Sequence, residues 1–269
     1  MAKKNVVAGL GEIGNPILQL ISKKTVSVGY DLDPKLMNKK KFEHYSHLET
    51  SSLHICIPFT KNFIKNVRSL FKKFKPEYVI IHGTVSPYTT QKLQKDLPIP
   101  VIYSATRGVH RRMLYDLKRY TKFYAIQSNV PRAKWAAKKY SELMKKCGIK
   151  TQKMSNPITL ELAKIVVDTS YYGWLINYAQ LSNLIAKKHN VNYDEMWSFA
   201  DEIQKLIGNR PKMFPGFIGG HCVIPNLELI QDKKLNLIDE VNKFYLKNVK
   251  NAKSIGKKYV KGKKSYDKK

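Results

Sequence analysis

Short apolar runs alternate with longer amphipathic stretches through the first half of the chain. The runs that predict strands lie at residues 5–8, 25–30, 53–57, 78–82 and 101–104, with two more at 123–126 and near 149. The stretches that predict helices, with their lysines facing outward, lie at residues 15–21, 61–74 and 133–147. This alternation is typical of a parallel sheet with helices on both faces. We therefore predict a doubly wound α/β domain over residues 1–153.

The second half of the chain has the periodicity of helices. Residues 157–188 contain one glycine, Gly173, and no proline after Pro157, which predicts one long helix beginning near Asn156 or Thr159. A second helix is predicted at residues 193–206, then a glycine- and proline-rich loop at 210–225 and two helical stretches, the second at 237–249. We predict an all-helical domain over residues 154–256 and a basic, disordered tail over 257–269. The long helix is too apolar to stay alone in water, so we expect packing on the first domain or a homodimer.

Lysine accounts for most of the formal net charge of +29 in the 269 residues. Proteins that read base edges favour arginine, whereas these lysines are spread along the whole chain. We expect a solvated basic surface and no nucleic-acid partner, although such a field would attract an anionic substrate or cofactor.

The sequence also limits the location of the protein. It contains no uncharged apolar run of roughly 18 residues, so we expect no membrane span, and the N-terminus lacks the apolar stretch of a secretory signal. Three cysteines, odd in number and far apart, do not fit a disulfide framework and favour a reducing cytoplasm. We predict no metal site.

A glycine motif, Gly-Leu-Gly-Glu-Ile-Gly, follows the first predicted strand and opens the first predicted helix. It predicts a Rossmann dinucleotide site, in which Gly9 permits the turn, Gly11 lets the backbone approach a pyrophosphate and Gly14 lets helix and strand pack closely. Asp31 ends the second strand, where a carboxylate binds the adenosine ribose and repels the 2′-phosphate of NADP, so we predict NAD. The alternative is a glycine-rich turn without a ligand. The predicted cofactor contacts are Gly9, Gly11, Glu12, Ile13, Gly14, Asp31, Pro58 and Thr84.

Cys222 lies in a second glycine-rich segment, Phe-Pro-Gly-Phe-Ile-Gly-Gly-His-Cys-Val-Ile-Pro-Asn over residues 214–226. Glycines hold a cysteine on a tight loop where backbone N–H groups can lower its pKa. The alternative is a buried, structural cysteine.

Three segments, in the same order, resemble motifs of the UDP-glucose/GDP-mannose dehydrogenase family. Gly219 to Cys222 resembles the Gly-Gly-His-Cys pattern of its UDP-N-acetylhexosamine branch, and Thr84 to Pro87 resembles its Ser-Thr-Val-Pro loop beside the nicotinamide. Glu161-Leu162-Ala163-Lys164 resembles its Glu-Leu-x-Lys motif. The resemblance runs from Lys4 to about Val249.

The resemblance implies an NAD-dependent oxidoreductase with a role in polysaccharide biosynthesis. It implies Cys222 as the nucleophile and Lys164 as an electrostatic or acid–base group, with Thr84 nearby. In the family an alcohol is oxidised in two hydride transfers. The cysteine captures the intermediate aldehyde, and the resulting thioester is hydrolysed to an acid. A thiolate and a lysine ammonium suit these steps.

The chain departs from the family pattern in three places. The family's asparagine after the lysine is Asp168 and its aspartate after the cysteine is Asn226, and we predict both as catalytic residues, like Thr84. We expect Asp168 to pair with Lys164 at i,i+4 and keep it protonated. The family's Ser-Pro-Glu segment is replaced by residues 104–110, and the glutamates that assist hydrolysis are absent. A basic cluster at this edge of the sheet is either a solvated loop or a site for an anionic substrate group. Its members are Arg107, His110, Arg111 and Arg112.

Three functions remain open at this stage. The leading hypothesis is oxidation of a sugar-like alcohol by Cys222 and Lys164, and the second is a single-hydride dehydrogenase of the 3-hydroxyacid type in which the cysteine is idle. The third is a catalytically silent NAD-binding or scaffold protein. Few residues follow the helix predicted at 237–249, where the family continues into a second Rossmann-like domain. We therefore expect a substrate smaller than a nucleotide sugar, or one held by a partner protein.

Overall fold

The structure, a computed structural model, describes residues 2–220 and 222–252. The chain forms two compact units, Met1–Lys164 and Ile165–Lys269. The predicted tail at 257–269 lies outside the described residues. The domain boundaries expected near residues 153 and 256 stay predictions, because compactness is not a test of independent folding.

Unit 1 is built on a seven-stranded sheet with the strand order β2-β1-β3-β4-β5-β6-β7. The strands are β1 (Lys4–Ala8), β2 (Ser27–Tyr30), β3 (Thr50–Ile55), β4 (Tyr78–Ile81), β5 (Val101–Tyr103), β6 (Lys122–Ile126) and β7 (Thr151–Lys153). The first five strands are parallel, which confirms the predicted fold class.

The predicted parallel arrangement does not extend to β6, which pairs antiparallel with β5 through Ile102 and Ile126. Side-chain bonds between the two strand ends stabilise this pairing. Lys122 Nζ, at the start of β6, donates to the carbonyl of Ser104 at 3.0 Å, immediately beyond the end of β5. Arg107 Nη2 donates to the carbonyl of Thr121 at 2.7 Å. The start of β6 is thereby held beside the end of β5.

Helices cover both faces of the sheet. They are α1 (Gly14–Ser22), α2 (Lys39–His44), α3 (Phe63–Phe74), α4 (Thr89–Asp96), α5 (Met113–Arg119), α6 (Ala133–Lys146) and α7 (Pro157–Leu162). One core lies under α1, α5 and α6 and includes Val7 and Ile80 of the sheet. The other lies under α3, α4 and α7 and includes Val6 and Val79. Alternate residues of each strand therefore face opposite cores, as a doubly wound sheet requires.

Unit 2 is helical. Its helices are α8 (Tyr171–Lys188), α9 (Tyr193–Ser198), α10 (Asp201–Ile207), α11 (Ile224–Glu228) and α12 (Leu237–Asn248). The predicted single helix over residues 193–206 is interrupted between α9 and α10. There the Ser198 hydroxyl donates to the carbonyl of Glu195 at 2.7 Å, a side-chain bond that competes with the backbone bonds of a helix. Phe199, the next residue, is 91% exposed, so its side chain packs little against the protein.

The predicted continuous helix over residues 157–188 is also not uniform. Ala163–Ser170, between α7 and α8, has π-helical hydrogen bonding. Consecutive β-branched residues crowd this turn, and the Ser170 hydroxyl donates to the carbonyl of Val166 at 2.6 Å. The expected Lys164–Asp168 pair assumed α-helical spacing and stays a prediction. Among the described helices, none combines the length and apolar character needed to cross a membrane.

Candidate functional site

The carboxyl ends of β1, β3 and β4 meet at one edge of the sheet, and the strand order reverses between β1 and β3. A ligand crevice is expected at such a reversal. Gly9, directly after β1, has a φ of 88°, and a Cβ there would lie 2.8 Å from the carbonyl carbon of Cys56. A Cβ on Gly14 would overlap the carbonyl oxygen of Gly9. These two glycines therefore hold the turn against the residues that follow β3.

Gly11 has the opposite environment. Apart from its chain neighbours, no heavy atom of the described residues lies within 4 Å of the position where its Cβ would be, and both Gly11 and Glu12 are exposed. Gly9 and Gly14 are required for close packing of the loop, whereas Gly11 is not. An exposed glycine of this kind fits a site where a ligand approaches the backbone.

Asp31 lies beside this loop and is half-buried. Its Oδ2 accepts a 2.6 Å hydrogen bond from the backbone N–H of Leu10, and its Oδ1 accepts one of 2.9 Å from Asp33. Each carboxylate oxygen has a remaining lone pair for a ribose hydroxyl. Asp31 is thus both a fixed acceptor and a support for the glycine loop.

A buried carboxylate ties the predicted Thr84 loop to the helix that leads to Lys164. Glu161 is fully buried, and its Oε2 accepts from the backbone N–H of Tyr88 at 2.7 Å. Its Oε1 accepts from the backbone N–H and the hydroxyl of Thr90 at 2.9 and 2.6 Å. Burial raises the pKa of Glu161, and the Thr90 bonds oppose that rise. Glu161 therefore fixes the start of α4. It lies three residues before Lys164, which is half-buried.

The predicted basic cluster is largely bound to the protein itself. Arg107 donates to the Thr121 carbonyl, and His110 Nδ1 lies 2.7 Å from Glu12 Oε2. Arg112 Nε donates to Asp116 at 3.1 Å. Arg111 is the one exposed member of the four, whereas the others are half-buried. The anion site predicted on these residues stays a prediction, in which Arg111 is the member best able to meet a ligand.

Sequence reasoning missed a buried polar network under the same sheet edge. His54 Nδ1 lies 2.9 Å from His82 Nε2, with the two rings stacked at 5.1 Å between centroids. Burial, together with the nearby Lys122 charge, lowers the pKa of His54 to about 3. Burial likewise lowers the pKa of Lys122 to about 7. The sequence does contain a signal that Lys122 is buried. It is a charged residue at the start of a strand whose alternate residues, Tyr124 and Ile126, are core residues.

Lys122 is also linked to the loop that leaves β5. Besides Ser104, its ammonium donates to the carbonyl of Ala105 at 3.4 Å and to Thr106 Oγ1 at 3.1 Å. The Ser104 hydroxyl in turn receives a 2.8 Å bond from the hydroxyl of Tyr140. The loop that bears the basic cluster is therefore anchored from within the core.

In unit 2, Cys222 is exposed, in contrast to the other two cysteines. Gly220, two residues before Cys222, has a φ of 82°, a left-handed conformation that favours glycine. Immediately after the cysteine, Val223 is buried, and Asn226 Nδ2 donates to the carbonyl of Cys222 at 2.5 Å. Asn226, predicted as a catalytic residue, therefore contacts the cysteine backbone from the first turn of α11.

Burial changes the electrostatics of the two thiols in unit 1. It raises the pKa of Cys56 to about 12, although the Lys122 charge partly lowers it. It also raises the pKa of Cys147. A thiolate is the reactive form of cysteine, so both of these thiols are suppressed as nucleophiles.

The structure distributes the predicted site residues between the two units. Unit 1 holds the glycine loop, Asp31, Thr84 and Lys164, together with Pro58, which is exposed just beyond β3. Unit 2 holds Cys222 and Asn226, and also Asp168, which is exposed.

Comparisons with known proteins confirm the architecture. No protein-family model and no curated protein matches the chain. Among solved structures, it is similar to the UDP-D-ManNAc dehydrogenase from Pyrococcus horikoshii, with 19% identity and a TM-score of 0.73 over 90% of this chain and 68% of that chain.

Two further structures are similar. The NDP-N-acetyl-D-galactosaminuronic acid dehydrogenase from Methanosarcina mazei Go1 has 16% identity and a TM-score of 0.66, over 91% of this chain and 66% of that chain. The 3-hydroxyisobutyrate dehydrogenase from Mycobacterium tuberculosis has 12% identity and a TM-score of 0.65, over 92% of this chain and 94% of that chain. At these identities the likeness establishes the fold.

Proposed function

We propose that this protein is an NAD-dependent dehydrogenase that oxidises a CH–OH group. The observation that carries the proposal is the space beside Gly11, which the described part of the chain leaves open, next to the Asp31 carboxylate and where the strand order reverses. The three similar structures are all of proteins named as dehydrogenases, which is consistent with this use of the fold.

The residues present fit NAD. The glycine loop and the start of α1 would receive the pyrophosphate, because N-terminal N–H groups of a helix point at an anion placed there. Asp31 would accept hydrogen bonds from the adenosine ribose. Pro58 and Thr84 follow neighbouring strand ends, where they would border the nicotinamide half. Bound NAD would supply the hydride acceptor.

We propose Cys222 as the nucleophile and Lys164 as the cation that stabilises a developing alkoxide. An exposed thiol can add to an aldehyde, its proton going to the new hydroxyl, and form a hemithioacetal. A lysine ammonium lowers the energy of the oxyanion on the reacting carbon. The substrate class is a sugar-like alcohol, in keeping with the resemblance of the Cys222, Lys164 and Thr84 segments to nucleotide-sugar dehydrogenases. Asp168 and Asn226 are assigned supporting roles.

We also propose that the protein is a homodimer through α8. Apolar side chains are exposed along this helix at alternating spacings of three and four residues, the pattern of a helix–helix seam. They are Tyr171, Trp174, Tyr178, Leu181 and Ile185, between 38% and 64% exposed. A patch of this kind in water marks an interaction surface. Sedimentation equilibrium distinguishes the dimer from a monomer.

A second candidate is a single-hydride dehydrogenase of the 3-hydroxyacid type. The observation that favours it is the similar 3-hydroxyisobutyrate dehydrogenase structure, which matches over nearly the whole of both chains. In that reaction Lys164 acts and Cys222 is idle.

The yield of NADH per substrate molecule separates the two candidates. A panel of sugar, phosphorylated-sugar, nucleotide-sugar and 3-hydroxyacid alcohols is incubated with NAD, and NADH absorbance is followed to completion. The leading proposal predicts two NADH per substrate for the parent and at most one for Cys222→Ser. One NADH per substrate for both proteins supports the second candidate. Failure of every alcohol to form NADH, with NAD binding intact, favours the silent NAD-binding protein.

A further inference from the structure

A chain of buried amide side chains lies between α8 and α12, and it ends on the backbone of the Cys222 loop (residues 216–220 and 222–223). Its members, Asn177, Gln180 and Asn242, are at most 2% exposed. Asn177 Nδ2 donates to Gln180 Oε1 at 2.9 Å and to the carbonyl of Ile238 at 3.1 Å. Gln180 Nε2 donates to Asn242 Oδ1 at 3.0 Å. Each amide thus fixes the orientation of the next.

The network holds the loop upstream of Cys222 at two residues. Asn242 Oδ1 accepts from the backbone N–H of Ile218 at 3.0 Å, and Asn242 Nδ2 donates to the carbonyl of Ile218 at 3.1 Å. Gln180 Nε2 donates to the carbonyl of Gly216 at 2.7 Å. Residues 209–219 belong to no helix or strand, so these side chains supply the backbone partners that regular structure would otherwise provide.

The other side of Cys222 is held by packing. A Cβ on Gly173 of α8 would lie 3.1 Å from Cγ1 of Val223 and 3.0 Å from Cγ2 of Ile238. Val223 and Ile218 both belong to the apolar cluster around Ile238. The cysteine therefore lies between two fixed points, Ile218 four residues before it and Val223 one residue after it.

We propose that Asn242, supported by Gln180, is a positioning residue that holds the Cys222 loop in the conformation presenting the thiol. The inference rests on the proposed role of Cys222 as the nucleophile. Asn242 is suited to this task because its single amide pairs with both polar groups of one residue, and two buried backbone groups lose their partners when it is removed.

The same helix pair offers a matched control. Asn183 of α8 is 8% exposed, and its Oδ1 accepts a 3.0 Å bond from the hydroxyl of Tyr245 on α12. Asn183→Ala therefore removes a buried amide and a link between α8 and α12 without removing a bond to the Cys222 loop. An effect of general helix packing would appear in both variants, whereas loss of positioning is specific to Asn242→Ala.

A thiol-reactive nitroxide on Cys222 measures the loop directly, with Cys222→Ser as the unlabelled control. The spectrum reports loop motion without requiring turnover, so failure of this inference is distinct from failure of the proposed reaction. We expect a broad, immobilised spectrum in the parent and in Asn183→Ala, and at least a twofold shorter correlation time in Asn242→Ala. Equal spectra in Asn242→Ala and the parent, or equal narrowing in both alanine variants, overturn the proposal.

A second variant keeps the test decisive if Asn242→Ala fails to fold, as judged by circular dichroism. Gln180→Leu removes the bond to Gly216 and the support of Asn242 but leaves the two bonds between Asn242 and Ile218. We expect the spectrum of the nitroxide on Cys222 to be narrower than that of the parent and broader than that of Asn242→Ala. A Gln180→Leu spectrum identical to that of the parent overturns the proposal.

Discussion

Both units contain a buried polar network inside an apolar core, but the side chains that form the two networks differ in their chemistry. Beneath the strand ends of unit 1 the network contains Lys122, His54 and His82, all of which can gain or lose a proton. In unit 2 the buried network that reaches the Cys222 loop consists of the neutral amides Asn177, Gln180 and Asn242. Both networks end on loops that carry proposed site residues.

The difference concerns how each loop responds to pH. Burial disfavours the charged form of Lys122, so its protonation changes with pH. The bonds by which Lys122 anchors the loop after β5 therefore depend on pH as well. Amide side chains do not titrate, so the anchor of the Cys222 loop is constant over the range in which a thiol ionises. The pH response of Cys222 is then expected to reflect the thiol itself.

The largest expected effect that tests this contrast is in thiol reactivity. We expect iodoacetamide to label Cys222 about a thousandfold faster than Cys56 at neutral pH, because burial keeps the Cys56 thiol protonated whereas Cys222 is exposed. Cys147, whose pKa burial also raises, is expected to label slowly as well. Mass spectrometry of each cysteine peptide over time gives the three rates. Labelling of Cys222 more slowly than either of the others would make it a structural residue.

A smaller effect is expected in the pH dependence of stability. The folded pKa of Lys122, about 7, is below its ordinary value of 10.5, so between these values the unfolded chain holds a proton that the folded chain lacks. Lys122 therefore contributes stability that rises with pH across this window, by at most on the order of 1 kcal/mol per pH unit, and Lys122→Met removes that contribution. Urea unfolding at several pH values within the window measures it.

Lys4 provides the control for this prediction. It is buried, and its Nζ donates to the carbonyls of Tyr45, Ser46 and Leu48, at 2.9, 2.9 and 2.5 Å. Burial lowers its pKa too, but Lys4 lies away from the histidines and the loop after β5. We expect Lys4→Met to retain most of the rise. An unchanged slope in Lys122→Met would contradict a titrating anchor in unit 1.

The hydrophobic pattern predicted most of the fold because strands and helices differ in period. β-branched runs such as the one ending at Tyr30 and amphipathic stretches such as α3 and α6 lie where the sequence places them. The direction of β6 could not be predicted from periodicity, because it depends on the side-chain bonds of Lys122 and Arg107 to distant carbonyls. The π-helical segment and the break after Ser198 similarly arise from local hydroxyl–carbonyl bonds.

The candidate site was predictable where a motif fixes backbone geometry and not where buried side chains support it. The positions of Gly9, Gly11 and Asp31 follow from spacing around the first two strands. The roles of Gln180 and Asn242 depend on bonds between segments 36 and 24 residues apart in the sequence. Their one signal in the sequence is an amide at a position where the helical period predicts an apolar side chain.

Calorimetric titration with NAD tests most directly whether the loop around Gly11 is an NAD site. Gly11→Val is a selective variant because its side chain enters space that the residues described by the structure leave open, so folding is expected to be unchanged. Asp31→Ala is less selective because it also removes the bond from Leu10. We expect one NAD per parent chain and an affinity at least about a hundredfold weaker in Gly11→Val, at unchanged unfolding free energy. No NAD binding by the parent, or equal affinity in Gly11→Val, would contradict an NAD site in this loop.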